Sequence, residues 1–433
     1  KVLLSTSSEK IYRYSKKAYY YVFDRASGQI KALDSTAKQL YPTFSPDGTK
    51  VAYVKDNNLF VKDLADQKIQ AITTKGKWNE LICGAADWVY EEELKLTRAF
   101  EWSPDGQYLA YMEFDESEVE QFSMKYYTDG PYPKEYRFKY PKVGEKNAEV
   151  SVFITDVAKL EKRKLPEPSG WSDYYVPRIQ WMPGTGELVV TYLNRLQNHL
   201  VLRAYDAARS GTVRILLEEK SPYYISIHDH LQFLPDQEQF IWSSERNGWN
   251  QLLLFNYGGE FIRPLSDTGY DVTACYGYDE NSNRLYFQAA VPRPEERRVL
   301  SVSLGGGAKD TVLNKPGWNS ASFSSDYSYF IGRNATINTP PTYTIMNAQG
   351  EVIRELVQNE RLSDLQSVYS CQPIDFEQIQ IDDSVSLNSF TLYPGDFDST
   401  RQYPVLMHVY GGPNSQQVVD NWKGKYYWWF QML

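Results

Sequence analysis

The stretch Trp102-Ser103-Pro104-Asp105-Gly106-Gln107-Tyr108-Leu109-Ala110-Tyr111 decides the fold, because it occurs a second time in nearly the same form. The other clear copy is Phe44-Ser45-Pro46-Asp47-Gly48-Thr49-Lys50-Val51-Ala52-Tyr53. In each copy an aromatic residue closes a short strand, Ser-Pro-Asp-Gly forms the turn, and a strand of alternating apolar residues follows. The stretch therefore predicts a recurring pair of antiparallel strands.

Weaker copies of this strand-turn-strand pattern continue along the chain, at Trp181-Met182-Pro183-Gly184-Thr185-Gly186-Glu187-Leu188, Phe233-Leu234-Pro235-Asp236, Tyr278-Asp279-Glu280-Asn281 and Phe323-Ser324-Ser325-Asp326. A second hairpin follows each, as in residues 59–64 leading to 70–73. Units of four strands repeated about seven times are typical of β-propeller blades. Residues 1–35 are expected to form a further, incomplete blade that lacks its first strand.

Two segments interrupt the repeat. Residues 75–99 lie between two blades and predict an inserted, helical excursion. Residues 120–147 predict a long hairpin that is rich in Tyr and Pro and leaves its blade. Such a hairpin would expose apolar area unless it met a partner, so we expect it to form a contact between two copies of the chain.

The character of the sequence changes after Cys371. Residues 377–381 and 387–393 predict two strands, and the apolar run at 403–410 predicts a strand covered on both faces, which stops at Gly411-Gly412-Pro413-Asn414. We therefore predict a propeller domain over residues 1–371 and the first strands of an α/β domain over residues 372–433. The apolar, aromatic end of the sequence at 426–433 leads us to expect that the polypeptide is cut short.

The composition argues against several classes of protein. The net charge of −9 is spread over 433 residues without a Lys/Arg stripe, which argues against nucleic acid as a partner and is compatible with cationic ligands. Cys83, Cys275 and Cys371 are far apart and lack a CxxC spacing, so neither a disulfide framework nor a structural zinc site is expected. No apolar run is long enough to span a bilayer. We expect no cofactor.

Three consecutive carboxylates follow two large aromatic residues in Asp87-Trp88-Val89-Tyr90-Glu91-Glu92-Glu93-Leu94. One interpretation is structural: Asp87 caps a short helix, in which acidic side chains of the first turn gain about 0.3–1 kcal/mol each. The other is functional: two neighbouring carboxylates form a receptor for an ammonium group, which offers three donors and one positive charge. The residues alone leave both open.

That acidic stretch is one of four stretches that together carry a family resemblance. The others are Tyr140-Pro141-Lys142-Val143-Gly144-Glu145-Lys146-Asn147, Leu193-Asn194-Arg195-Leu196-Gln197-Asn198 and Val409-Tyr410-Gly411-Gly412-Pro413-Asn414-Ser415-Gln416. With them the chain resembles the dipeptidyl peptidase IV family of the prolyl oligopeptidase clan, and most of all its bacterial members of the Bacteroides and Porphyromonas type. The resemblance extends along the whole chain.

The resemblance implies an eight-bladed propeller that caps an α/β-hydrolase domain, with peptides bound in the cavity between the two. It implies a serine exopeptidase that releases Xaa-Pro or Xaa-Ala dipeptides from free N termini. Glu92 and Glu93 would hold the substrate ammonium, Arg13 would assist with a substrate carbonyl, and the Tyr410 hydroxyl would line the oxyanion hole. The hairpin at 120–147 would serve a homodimer, and the protein would be periplasmic or secreted.

The family's catalytic triad is not expected in this chain, because its G-x-S-x-G elbow does not occur in the sequence. The stretch Gly170-Trp171-Ser172-Asp173-Tyr174 only begins like that elbow, and Ser172 is not expected to be a nucleophile. His228 and His230 would share one face of a strand, but no third metal ligand is evident. We expect His408 to be a strand residue packed beneath the Tyr410 turn and His199 to stand alone.

Two other functions remain open from the sequence. The chain could belong to a non-catalytic propeller, or an inactive homologue, that captures peptide N termini without cutting them. It could also belong to an endopeptidase of the prolyl oligopeptidase type, which has the same fold but does not need paired glutamates. A G-x-S-x-G motif followed by Asp and His in the rest of the protein would favour an enzyme over a binding protein.

Overall fold

The computed structural model describes residues 1–128, 130–209, 213–412 and 415–433 of this mainly β chain. Within them the strands form seven antiparallel sheets of three or more strands and two separate hairpins. The predicted propeller blades are confirmed as antiparallel sheets. The number eight for the blades comes from the family resemblance and stays a prediction, since the described residues form seven.

Four of the sheets lie within residues 1–220. The first has three strands, as predicted for an incomplete blade: β1 (Val2–Lys10), β2 (Lys16–Phe23) and β3 (Ile30–Ala32). The second comprises β4 (Leu40–Phe44), β5 (Lys50–Lys55), β6 (Asn58–Asp63) and β7 (Ile69–Ala71). The third comprises β8 (Leu81–Cys83), β9 (Phe100–Trp102), β10 (Tyr108–Asp115), β13 (Glu149–Asp156) and β14 (Lys162–Lys164). The fourth comprises β15 (Tyr174–Met182), β16 (Glu187–Asn194), β17 (His199–Asp206) and β18 (Val213–Lys220).

Three four-stranded sheets follow, each with its strands in sequence order. One comprises β19 (Gln232–Leu234), β20 (Gln239–Ser244), β21 (Gln251–Asn256) and β22 (Phe261–Pro264), with a 3-10 turn at Pro235–Gln237. The next comprises β23 (Val272–Asp279), β24 (Arg284–Ala289), β25 (Arg298–Ser303) and β26 (Asp310–Leu313). The last comprises β27 (Trp318–Phe323), β28 (Tyr329–Ala335), β29 (Thr342–Asn347) and β30 (Val352–Val357). Helix α2 (Glu360–Val368) comes after it.

The recurring Ser-Pro-Asp-Gly turn is held by the same hydrogen bonds in its two clear copies. In the copy that joins β9 to β10, the Ser103 hydroxyl donates to Asp105 over 2.6 Å and accepts from the Tyr108 amide over 2.8 Å. Gly106 has φ +71°, a conformation that glycine adopts without strain. Ser45 makes the equivalent contact with Asp47 over 2.6 Å between β4 and β5. The local sequence therefore specifies this turn independently of the rest of the blade.

The third sheet has the two predicted insertions. Strands β8 and β9 both pair with β10, at opposite ends of it, and helix α1 (Trp88–Leu94) lies between them in sequence. The first strand of this blade is thus divided, and the predicted helical excursion is confirmed. The second insertion is the predicted hairpin, formed by β11 (Gln121–Tyr126) and β12 (Lys134–Lys139).

The chain forms two compact units. One contains residues 1–227, 233–238 and 257–259, and the other contains residues 228–232, 239–256 and 260–433. The core of the first unit includes Phe114, Val152 and Val190, which are 0–3% exposed. The domain boundary at residues 371/372 remains a prediction. No helix among the described residues is long and apolar enough to cross a membrane.

The segment after residue 371 agrees only in part with the prediction. A hairpin of β31 (Ile374–Gln380) and β32 (Ser386–Leu392) confirms the first two strands, and helix α3 (Lys425–Gln431) lies near the end. The strand predicted at 403–410 is wrong: this segment has no regular structure, and Val405 is 85% exposed. A central strand needs neighbours for its backbone and cover on both faces, and the described residues supply neither here. Pro413 and Asn414, part of the predicted stop, lie outside the described residues.

Candidate functional site

Helix α1 is capped at its start by Asp87, the residue that the structural interpretation of the acidic stretch predicts as its cap. The Asp87 carboxylate accepts a hydrogen bond from the Tyr90 amide over 2.8 Å, so Asp87 is the N-cap. Lys95 has left-handed backbone angles and ends the helix, with its amide donating to the Tyr90 carbonyl. The prediction that Asp87 caps a short helix is confirmed, and it does not exclude a function for the glutamates.

Buried contacts fix the helix against the neighbouring blades. Tyr90 is fully buried, its ring packs edge-on against Phe114 at 4.9 Å, and its hydroxyl accepts from the Val176 amide over 3.0 Å. At the other end of the helix, Arg178 donates to the Leu94 carbonyl over 2.7 Å. Since β10 and β15 supply these partners, the helix has a defined position relative to both strands.

The three glutamates have different surroundings, because successive residues of a helix point about 100° apart. Glu91 is 1% exposed, and its carboxylate accepts from the backbone amides of Tyr14 and Ser15 over 2.6 and 2.9 Å. Glu92 is half-buried and pairs with Arg13. Glu93 is exposed, and no residue that the structure describes forms a hydrogen bond or ion pair with its carboxylate.

Arg13 lies in the turn between β1 and β2. Its Nη2 and Nε atoms contact the two carboxylate oxygens of Glu92 over 2.6 and 2.8 Å, a bidentate geometry that matches the planar guanidinium. The hydrogen bond with Glu92 raises the pKa of Arg13 above its ordinary value. The turn itself is closed by a hydrogen bond from the Ile11 amide to the Ser15 carbonyl over 3.0 Å. Arg13 and Glu92 were predicted as separate site residues, and their contact with each other was not predicted.

The base of the inserted hairpin packs against both parts of this site. Tyr140 lies 4.3 Å from Trp88, the first residue of α1, and Phe138 lies 6.1 Å from Tyr12, which precedes Arg13. Phe138 is buried. The far end of the hairpin is different, because Tyr132 is 85% exposed there.

Two buried carboxyl groups, those of the N-cap Asp87 and of Glu116, interact near the start of the helix. Burial raises the pKa of the Asp87 carboxyl to about 7. Burial also raises the pKa of Glu116, between β10 and the hairpin, to about 8, and the negative charges of Asp87 and Asp115 add to the shift while Lys139 opposes it. Burial raises the pKa of the Tyr12 phenol as well. Glu116 was not predicted as a buried group, because nothing in its local sequence indicates burial.

Tyr410, the other predicted site residue, belongs to the second compact unit. It is 61% exposed, within the irregular segment that replaces the predicted strand. His408 is likewise exposed and outside any strand, so the prediction that it packs in a strand is wrong. The backbone of neither residue is fixed by strand pairing, because no neighbouring strand among the described residues pairs with the segment 403–410.

His228 and His230 lie in an irregular segment before β19 rather than in a strand, and their rings are 6.1 Å apart. His228 pairs with Glu245 over 2.8 Å. His199 does not stand alone, since its Nε2 lies 2.7 Å from Glu218. Ser172 is exposed in the loop before β15.

The described residues offer neither a metal site nor a disulfide. No group of three or more His, Cys, Asp or Glu side chains there is arranged to hold a metal ion. The three cysteines, Cys83, Cys275 and Cys371, are all free.

Comparison with known proteins adds independent information. Residues 1–341 match the family described as the dipeptidyl peptidase IV (DPP IV) N-terminal region. A protein from Aspergillus fumigatus named "Probable dipeptidyl peptidase 4" is 30% identical over 448 residues, which covers 98% of this chain and 57% of the relative. "Dipeptidyl peptidase 4" from Arthroderma otae is 28% identical over 439 residues, covering 98% of this chain and 56% of the relative.

A solved structure gives a further match. The crystal structure of Porphyromonas gingivalis dipeptidyl peptidase 4 superposes with a TM-score of 0.92 at 36% sequence identity, covering 97% of this chain and 60% of that one. The chain thus spans somewhat more than half the length of the relatives that it matches. On the strength of the matched N-terminal region and of this superposition, which agree with the fold, the chain belongs to the dipeptidyl peptidase IV family.

Proposed function

We propose that this chain supplies the amine-binding part of a serine exopeptidase that releases Xaa-Pro or Xaa-Ala dipeptides from peptides with a free N terminus. The observation that carries the proposal is the pairing of Arg13 with Glu92 beside Glu93, whose carboxylate has no partner among the described residues. The names of the relatives, which are dipeptidyl peptidases, support the same reaction.

The charges of the three side chains suit a single ammonium group. Glu92 and Glu93 carry two negative charges, and Arg13 neutralises one of them, which leaves a net charge of −1. An N-terminal ammonium brings one positive charge and three donors. Glu93 offers unoccupied carboxylate oxygens, and the oxygens of Glu92, already oriented by Arg13, retain further lone pairs. Charge-assisted hydrogen bonds of this kind favour a free amine over a neutral amide.

Fixing the ammonium would let the enzyme measure a dipeptide. If the nucleophile lies two residues from the amine site, only the second peptide bond of the substrate reaches it. Positioning of this kind can supply several of the roughly 7–11 kcal/mol that orientation makes available. The acyl transfer itself would use a Ser-His-Asp triad from the rest of the protein. Tyr410 would donate to the oxyanion, where loss of one donor typically costs about 10²–10³ in rate.

Substrates that differ only at the N terminus test the proposal. The full-length protein should cleave Gly-Pro-chromogen and should fail to cleave the N-acetylated compound, because acetylation removes the charge that Glu92 and Glu93 bind. Equal turnover of the two would refute the amine-binding function and would favour the endopeptidase. Binding of Gly-Pro peptides without any cleavage would favour the non-catalytic propeller.

Two further properties belong to the same proposal. The exposed aromatic end of the hairpin, including Tyr127 and Tyr132, supports a homodimer formed through residues 120–147. The resemblance of the chain to bacterial members of the family supports a periplasmic or secreted location. Gel filtration and cell fractionation, respectively, test these two properties.

A further inference from the structure

Glu91, the first of the three glutamates, has a role that is different from ammonium binding. Its side chain is 1% exposed, and it points away from the exposed Glu93. A buried carboxylate is costly unless hydrogen bonds compensate for the lost water. Glu91 receives such bonds from two consecutive backbone amides, those of Tyr14 and Ser15, over 2.6 and 2.9 Å. A substrate therefore cannot be what this carboxylate binds.

Those two amides belong to the turn that carries Arg13. The turn is five residues from Ile11 to Ser15, closed by the hydrogen bond from the Ile11 amide to the Ser15 carbonyl. Arg13 itself is mostly exposed, with 61% of its side chain accessible, so its own packing does not fix it. Besides the Arg13–Glu92 pair, the buried contacts of Glu91 with the residues immediately after Arg13 connect the turn to helix α1.

We propose that Glu91 is a positioning residue, which holds the Arg13 turn against helix α1 so that Arg13 pairs with Glu92 and leaves Glu93 for the substrate ammonium. This inference deepens the proposed function and rests on it. Glu91 and Glu92, which are adjacent on helix α1, then have different roles. Glu91 accepts hydrogen bonds from the backbone of the turn, and Glu92 pairs with the guanidinium of Arg13 in the same turn.

The geometry indicates which substitution should be tolerated. Both amides donate to the same oxygen, Oε1 of Glu91. The amide oxygen of a glutamine can accept both bonds, so Glu91→Gln should keep the turn in place. Alanine has no side-chain acceptor and methionine has only a weak one, its thioether sulfur. Because methionine nearly retains the volume of glutamate, Glu91→Met removes the strong hydrogen bonds with little loss of packing.

The test uses the full-length protein and Gly-Pro-chromogen. We expect Glu91→Met and Glu91→Ala to lower kcat/KM by about tenfold or more, mostly through a higher KM, because hydrogen bonds to a charged group are lost. Glu91→Gln should stay within about threefold of wild type. A wild-type KM in a folded Glu91→Met protein would overturn the proposal, and so would a Glu91→Gln protein as impaired as Glu91→Met.

A double-mutant cycle separates positioning from a general effect on folding. If Glu91 acts through Arg13, then Glu91→Met should cost less than about threefold in an Arg13→Ala protein. Full additivity of the two losses would overturn the proposal, because a purely structural defect does not depend on Arg13. The outcome is distinguishable from failure of the proposed function, in which the wild-type protein itself would not prefer the free amine over the acetylated substrate.

Discussion

Arg13 and Glu92 form a bidentate ion pair, with Nη2 and Nε of the arginine 2.6 and 2.8 Å from the two carboxylate oxygens, although 79 residues separate them in sequence. The pair joins the turn of the first hairpin to a helix inserted in the third sheet. The pair also distinguishes two neighbouring carboxylates, because Glu92 has a cation and Glu93 has none within the described part of the chain. The free energy of binding an ammonium should therefore depend strongly on Glu93.

Removing the charge of Glu93 tests that dependence. We expect Glu93→Gln to lower kcat/KM for Gly-Pro-chromogen by roughly 10- to 100-fold, the range for one charge-assisted hydrogen bond. Steady-state kinetics of the full-length protein measure the change. Glu355→Gln, at an exposed position of β30, is the matched control for loss of one negative charge and should behave as wild type. Wild-type kinetics for Glu93→Gln would mean that the acidic stretch serves only to start helix α1 and does not bind the ammonium group.

Ser172 resembles a catalytic nucleophile in its local sequence but should be dispensable for activity. Ser172 follows Gly170 and Trp171 as a nucleophile would, yet it is exposed in a loop and precedes strand β15 rather than a helix. Ser172→Ala should leave kcat and KM unchanged in the full-length protein. A loss of more than about tenfold in kcat would show that the nucleophile lies within this chain, contrary to the family resemblance.

Local sequence was sufficient to predict the blades, because the two Ser-Pro-Asp-Gly turns satisfy their own hydrogen bonds. Ser103, Asp105 and Gly106 specify the turn within four residues, and the strand pattern follows from side-chain alternation. The inserted helix was equally local, since Asp87 caps it. These features need no information from distant parts of the chain.

The contacts that organise the site could not be predicted in this way. The role of Glu91 could not be predicted, because only the fold shows that two amides from residues 14 and 15 reach its carboxylate. Burial of Glu116 also depends on tertiary packing. The error at residues 403–410 has the opposite origin: an apolar run predicts a strand, but a strand forms only where neighbours pair with its backbone.

The buried carboxyls predict how stability depends on pH. The folded-state pKa of Glu116 is about 8, above its ordinary value of 4.5, so the folded protein holds a proton that the unfolded chain releases. The free energy of unfolding should therefore fall as the pH rises from about 4.5 to about 8, and Asp87, with a pKa of about 7, acts in the same direction. Thermal unfolding of the chain across this range measures the trend.

Glu116→Gln isolates one carboxyl from this trend. The glutamine cannot ionise, so the variant should lose less stability than wild type between pH 5 and pH 8.5, both of which lie in or near the range in which Glu116 titrates. We expect a higher Tm than wild type at pH 8.5 and a smaller difference at pH 5. An identical pH dependence in the two proteins would mean that Glu116 does not retain its proton when folded.

The hairpin predicts separate effects for its two ends. At the exposed end, Tyr127 and Tyr132 are 74% and 85% accessible, so replacing both with serine removes apolar area without disturbing the fold. If the hairpin forms the dimer, the double variant should elute from gel filtration as a monomer at concentrations where wild type is dimeric.

At the base of the hairpin, Phe138 is 4% exposed and packs near Tyr12 and Trp88, so Phe138→Ala should instead weaken amine binding.

Deleting all of residues 120–147 would confuse these two effects, because it removes Phe138 together with Tyr140, which lies 4.3 Å from Trp88. The serine substitutions avoid this, since the aromatic contacts of α1 and the Arg13 turn stay in place. For Phe138→Ala, we expect KM for Gly-Pro-chromogen to rise by several-fold or more, as the loss of a buried aromatic side chain allows Trp88 and Tyr12 to shift. A raised KM in the Tyr127→Ser, Tyr132→Ser protein, with a dimeric mass, would contradict the separation of the two ends.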